Sequence, residues 1–107
     1  YIINITVPEF TCLCPKTGNP DFATLYIKYI PKDFCLELKS LKQYVVSFRN
    51  VGTFHESVAN QICNDLSKII NPQFLTLKAQ FNVRGGIHTS VEIHYRNKEW
   101  KDSKHLL

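Results

Sequence analysis

A thiol and a carboxylate, two groups able to do covalent chemistry, stand at the ends of one short segment, Cys14-Pro15-Lys16-Thr17-Gly18-Asn19-Pro20-Asp21. A thiolate attacks polarised carbon, and a carboxyl group within reach can move the proton that such an addition requires. Pro15 and Pro20 each hold φ at about −65°, and Gly18 admits a turn that a Cβ resists, so the segment is predicted to fold Cys14 and Asp21 back toward each other. Each end also has a plain structural use. A cysteine can be an inert buried thiol, and an aspartate after proline is a common turn former.

Other candidates are spread along the chain. Glu37-Leu38-Lys39-Ser40-Leu41-Lys42 opens an amphipathic segment, which reads either as a solvated helix start or as amides and lysines suited to phosphate groups. In Phe54-His55-Glu56, Glu56 could cap a helix or pair with the N–H edge of a guanine-like ring, and His55, of the type that titrates near neutrality, is a catalytic candidate that could assist proton transfer. Arg84-Gly85-Gly86 is a turn whose arginine could reach an anion, and it makes no Gly-x-Gly-x-x-Gly loop. Cys12, Cys14, Cys35 and Cys63, with His88, His94 and His105, lack metal-ligand spacing, so no metal is expected. Cys35 and Cys63 sit beside apolar residues and read as small buried hydrophobes, which leaves Cys14 as the exposed thiol.

These residues need elements to position them. Ile2–Val7 is β-branched and meets Pro8, predicting a first strand that bends and resumes over Phe10–Leu13, and Phe22–Ile30 predicts its hairpin partner. Apolar spacing of three and four between Leu36 and Arg49 predicts a helix. A second helix is predicted over Phe54–Ile70, with Val58, Ile62, Leu66, Ile69 and Ile70 buried, Thr53 and Glu56 as a capping box, and Asn71-Pro72 as its stop. Alternation returns over Phe74–Val83, with Leu75, Leu77, Ala79, Phe81 and Val83 on the apolar face. It resumes after the glycines over Ile87–Tyr95, with His88, Glu92 and His94 opposite the apolar residues. The order ββααββ predicts an α+β fold, an antiparallel sheet with both helices on one face. Residues 1–95 form one domain and 96–107 a polar tail with Trp100 as its only large anchor. Apolar residues on both sides of the strands, such as Tyr26 and Ile30 opposite Leu25 and Ile27, predict burial against other copies of the chain.

Composition narrows the function classes. The chain has 107 residues, 44% hydrophobic and 21% charged, which fits one folded domain rather than a disordered segment. No apolar run approaches a membrane span and no signal-peptide pattern opens the chain, so a soluble, cytosolic (cytoplasmic) protein is expected, and the start at Tyr1 leads us to expect a few preceding residues. The net charge of +4 is scattered rather than striped, which argues against nucleic acid and suits an anionic small molecule.

Taken together, Glu9–Ala23, Glu37–Lys42, Ser47-Phe48-Arg49-Asn50, Phe54-His55-Glu56 and Arg84-Gly85-Gly86 resemble the NADPH-dependent nitrile reductases of the QueF type, over nearly the whole chain to Tyr95. Glu37–Lys42 is the specific part. The resemblance implies the tunnelling fold (T-fold) and a homo-oligomeric barrel of two stacked pentameric rings, with sites at subunit interfaces. It implies reduction of 7-cyano-7-deazaguanine to 7-aminomethyl-7-deazaguanine with NADPH, in queuosine biosynthesis. Cys14 is then the nucleophile forming a thioimide and Asp21 the proton donor. His55 and Glu56 hold the base, Leu36, Glu37 and Leu38 line the substrate pocket, and Leu38, Lys39, Arg84 and Gly85 contact NADPH. Cys12 stands where relatives are expected to have a residue such as serine, and the tail has no family counterpart. Two other readings stay open: an amidine-forming transferase using the same Cys14 and Asp21, and a non-catalytic purine- or pterin-binding oligomer.

Overall fold

The alternating segments Ile3–Leu13 (β1), Pro20–Ile30 (β2), Phe74–Arg84 (β3) and Ile87–Arg96 (β4) are strands, and Leu38–Val46 (α1) and His55–Ile70 (α2) are helices, in a computed structural model that describes residues 1–101. The strands form one antiparallel sheet in the order β1-β2-β3-β4. This is the ββααββ arrangement predicted by the pattern, with both helices on one face. β1 shifts register between Val7 and Phe10, where Pro8 cannot donate to the ladder.

The core lies between that face and the helices. Leu25, Ile27 and Tyr29 of β2 and Leu75, Leu77, Ala79 and Phe81 of β3 are fully buried there. Above them α2 lies over β3 and β4 while α1 lies against β1. The two helices are tied by the Tyr44 hydroxyl, which donates to Asp65 Oδ2 at 2.6 Å, and burial with this carboxylate pushes the phenol pKa up. Thr6, Tyr26, Lys28, Lys78, Glu92 and His94 help to line a shallow cleft of about 240 Å³ on the sheet.

Four local expectations are corrected. Thr53 and Glu56 make no capping box: the cap residue of α2 is Phe54, without a side-chain cap, and the Thr53 hydroxyl faces the Phe54 carbonyl instead. Ile69 is 70% exposed, because α2 covers the sheet with the side that carries Ala59, Cys63, Leu66 and Ile70. Val83 is 54% exposed, at a register shift between Phe81 and Arg84 where the strict alternation is lost. Cys35 is exposed in the loop before α1, where its thiol lies 3.9 Å from the Tyr1 hydroxyl, whereas Cys63 is buried as expected.

The last strand runs to Arg96, so the expected tail begins inside it. Trp100 packs on Phe74 at 5.2 Å between ring centres, with the Arg96 guanidinium 4.4 Å from its ring. The rest of that tail, residues 102–107 with His105, lies outside the described residues.

Candidate active site

The predicted hairpin loop forms. Leu13 pairs with Pro20 at the end of β1, and beyond them the Cys14 N–H donates to the Asn19 carbonyl at 2.8 Å. The Gly18 N–H returns to the Cys14 carbonyl at 2.8 Å, which requires a backbone at φ +73° at Gly18, a conformation open to glycine. Across the hairpin, Asp21 is the first inward-facing residue of β2 and stands opposite Cys12.

The start of α2 is brought to this loop by backbone pairing. The Leu13 N–H donates to the Val51 carbonyl at 2.9 Å, and the Thr53 N–H donates to the Leu13 carbonyl at 3.0 Å, a short parallel bridge. His55 and Glu56, in the first turn of α2, thereby face the thiol. The end of β3 supplies Arg84. Together these elements enclose an open cleft of about 420 Å³ lined by Cys14, Asp21, His55, Glu56 and Arg84, with Thr17 and Phe54 at its rim.

Asp21 is the hub. Its carboxylate is 7% exposed, and each oxygen has a partner: Oδ1 accepts from the Arg84 guanidinium, and Oδ2 lies 3.3 Å from His55 Nε2. The imidazole of His55 is itself fixed by stacking on Phe81, with ring centres 3.6 Å apart and planes 5° from parallel. Arg84 also donates from its second amino group to Thr17 Oγ1 at 3.2 Å.

The two neighbouring thiols are set apart by their surroundings. Cys14 has its pKa lowered to about 7, first by the Thr17 hydroxyl, then by the Thr17 and Lys16 backbone amides, with a smaller contribution from the Arg84 charge. Cys12 is pushed up to about 11, chiefly by burial and then by the Asp21 carboxylate and Cys14. Near neutral pH, Cys14 is a partly ionised thiol and Cys12 a protonated one on the core side of β1.

The remaining sequence candidates lie elsewhere in this chain. Leu36, Glu37, Leu38 and Lys39 sit at the other end of β2, where the Leu36 N–H donates to the Tyr29 hydroxyl at 3.0 Å. Eight residue steps of strand, about 27 Å, separate Tyr29 from Asp21. The Glu37 carboxylate caps α1, accepting from the Lys39 and Ser40 amides and from the Ser40 hydroxyl, and these bonds lower its pKa. Its own carboxylate thus occupies the amides that the sequence offered to a phosphate. Gly85 forms the β3–β4 turn beside Arg84 and does not line the cleft.

Thr17, Phe54 and Phe81 were missed as site residues. Thr17 looked like a turn residue, Phe54 like a helix-start apolar group and Phe81 like one more step of core alternation. For cofactor phosphates the cleft has the right donors, since Arg84 keeps 41% of its side chain exposed and Lys16 is exposed at the rim. Among the described residues no group of three His, Cys, Asp or Glu side chains is placed to hold a metal ion, and no helix is long and apolar enough to cross a membrane.

Residues 20–100 match the family model described as QueF-like protein. A relative named NADPH-dependent 7-cyano-7-deazaguanine reductase, from Vesicomyosocius okutanii subsp. Calyptogena okutanii, is 60% identical over 100 residues, covering 94% of this chain and 76% of its own. One of the same name from Nitrosococcus oceani is 57% identical over 104 residues, covering 97% and 81%. Among solved structures, an archaeosine synthase QueF-Like in the apo form superposes with a TM-score of 0.81 at 19% identity, over 87% of this chain and 91% of that one, a likeness of fold.

Proposed function

This chain belongs to the QueF-like protein family, and from that premise we propose that it reduces the nitrile of 7-cyano-7-deazaguanine to an aminomethyl group with NADPH, through a covalent thioimide on Cys14. The observation that carries the mechanism is the pairing of an activated thiol with a doubly held carboxylate in one cleft. A nitrile carbon is a poor hydride acceptor, and adding the Cys14 sulfur to it creates a better one. As the C–S bond forms, one π bond of the nitrile opens, and Asp21 passes a proton to the nitrogen. Starting from the thiol form of Cys14, the carboxylate of Asp21 takes the sulfur's proton and returns it to nitrogen, so the addition balances without outside acid.

Two molecules of NADPH, bound in turn, would supply the two hydrides that separate a nitrile from an amine. Between them Cys14 leaves as thiolate and is regenerated as the adduct collapses to an imine. Imines hydrolyse in water, so the cleft must be closed at that stage. Glu56, in the first turn of α2, accepts from the ring and amino N–H groups of the base and His55 holds Asp21 and the substrate in line, roles supported by their lining of the cleft and by the 3.3 Å approach of His55 Nε2 to Asp21 Oδ2. Arg84 and Lys16 are the cleft cations for the cofactor phosphates.

The open cleft and the distant Glu37–Lys39 segment together support a site built from two copies, each giving the segment at one end of its sheet to the thiol of its neighbour. Two stacked pentameric rings are the assembly we propose. All four cysteines are unpaired, and the chemistry needs a reduced Cys14, which supports a cytoplasmic setting, in queuosine biosynthesis.

The test is intact-protein mass spectrometry after incubation with the nitrile in the absence of NADPH. The expected result is an added mass equal to the whole nitrile, located on Cys14. An unmodified protein, or an adduct on Cys12, overturns the mechanism. Loss of NADPH absorbance on adding the nitrile separates reduction from amidine formation and from simple binding.

A further inference from the structure

The bonds of the Cys14 loop give its threonine a part that the reaction scheme above leaves unassigned. A threonine hydroxyl has two acceptor positions and one hydrogen to donate. At Thr17 Oγ1 both acceptor positions are taken, by the Asn19 N–H at 3.2 Å and by Arg84 at 3.2 Å. Its hydrogen is therefore left for a third partner, and Cys14, three residues earlier in the loop, lines the same cleft, with its pKa lowered first by this side chain. Arg84 reaches the same hydroxyl and the Asp21 carboxylate with two different nitrogens, so one guanidinium spans the middle and the far end of the loop. The loop backbone is closed by the Cys14–Asn19 and Gly18–Cys14 bonds, which hold Cys14 and Thr17 in one tight turn at the same cleft.

We propose that Thr17 is a catalytic residue whose hydroxyl donates to the Cys14 thiolate, and that Arg84 is a positioning residue which aims that hydroxyl and acts before any cofactor binds. A charged donor on one lone pair and an amide on the other leave the hydroxyl one favourable orientation, toward sulfur. The same contact strengthens donation, because an oxygen that accepts from a guanidinium becomes a better donor. Thr17 thus stabilises the ionised nucleophile in the resting enzyme. When Cys14 is later expelled from the adduct, the same hydroxyl is in place to receive the thiolate as leaving group.

This assignment rests on Cys14 being the nucleophile, but its test needs no nitrile. The alkylation rate of Cys14 by iodoacetamide is followed against pH in the full-length protein, with peptide mass mapping to separate Cys14 from the other thiols. The native profile should rise through about pH 7, and Thr17→Val should move the midpoint up by about one unit and slow alkylation at pH 6.5 roughly fivefold. Thr17→Ser, which keeps the hydroxyl, should stay close to the native profile, and Arg84→Gln should move the native profile up by less than Thr17→Val does while leaving the Thr17→Val profile little changed, whereas loss of the Arg84 charge alone would move both alike. Thr17 is exposed, so these variants are expected to fold, and Thr17→Ala repeats the test with a smaller side chain. A native profile in Thr17→Val and Thr17→Ala, or a Thr17→Ser shift as large as that of Thr17→Val, overturns the role of the hydroxyl. An Arg84→Gln protein altered only in its NADPH dependence overturns the positioning role. Failure of the nitrile to add to Cys14 alongside the expected alkylation shifts would count against the substrate and leave Thr17 in place.

Discussion

Asp21 is the most constrained side chain of the cleft: it is nearly buried, and both its oxygens are engaged by groups from other elements. Asp21→Asn keeps the shape, removes the charge opposite Arg84 and cannot carry a proton from sulfur to nitrogen. Adduct formation should fall by about a hundredfold or more, while binding of the nitrile persists. Adduct formation at or near the native rate, read by mass spectrometry, would remove Asp21 from the proton path. The second residue-scale prediction concerns pH. The thiolate of Cys14 is present above about pH 7 and is lost as pH falls through that value, because its pKa is lowered rather than raised. Capture of Cys14 by an alkylating agent, which needs only the thiolate, should therefore climb between about pH 6 and 8 and then level, whereas an ordinary thiol would still be climbing at about pH 9; adduct formation with the nitrile also uses the thiol's proton and should decline over the same range. The thiol and carboxylate were legible because Pro15, Gly18 and Pro20 fix a tight loop from local backbone rules. The partners of Asp21 were less so: His55 and Arg84 are 34 and 63 residues away, and only the register of the sheet and the bridge to α2 bring them in.

At the scale of elements, the site depends on where strands and helices end. The end of β3 carries Phe81 under His55 and Arg84 against Asp21, and the Gly85-Gly86 turn that follows fixes how far β3 extends. Both glycines have positive φ, +59° and +81°, as a two-residue hairpin turn of the right twist demands. A Cβ at Gly86 meets no neighbouring atom within 4 Å, so Gly86→Ala isolates the backbone cost, about 1–2 kcal/mol. Thermal melting should show a loss of roughly 5–10 °C for a domain of this size, and an unchanged midpoint would mean that the turn relaxes freely. Periodicity gave all six elements in their right order, since alternation and the 3.6-residue repeat reflect burial directly. The capping box failed for a reason that no local pattern contains. The Thr53 N–H is committed to the Leu13 carbonyl, and that long-range bridge sets the start of α2. Ile69 failed likewise, because a helical wheel marks an apolar stripe but not how much of it the sheet covers.

For the whole molecule, the separation of the two motif-bearing ends decides how a complete site can arise. Phe54 is half exposed at the cleft that holds the thiol, and Phe34 and Leu38 are more exposed at the far end of the sheet, beside Glu37 and Lys39. A 107-residue chain cannot fold its own Lys39 back across about 27 Å of strand without dismantling β2, so contact between Cys14 and Lys39 requires two copies. Such a contact joins different surfaces, which generates closed rings when the rotation permits. Sedimentation at micromolar concentration should show a species larger than the monomer, and Phe34→Glu should shift it toward monomer with loss of turnover. A sharper test mixes two inactive proteins. In the proposed site Cys14→Ala would lack the nucleophile and Lys39→Glu would oppose the cofactor phosphates, yet in a mixed ring one interface in about four would receive an intact thiol from one copy and an intact lysine from the next. Dissociating and reassembling the two variants together at equal amounts should restore roughly a quarter of the native rate. If each site were completed within one chain, no mixture would recover activity even when mixed rings are seen by mass.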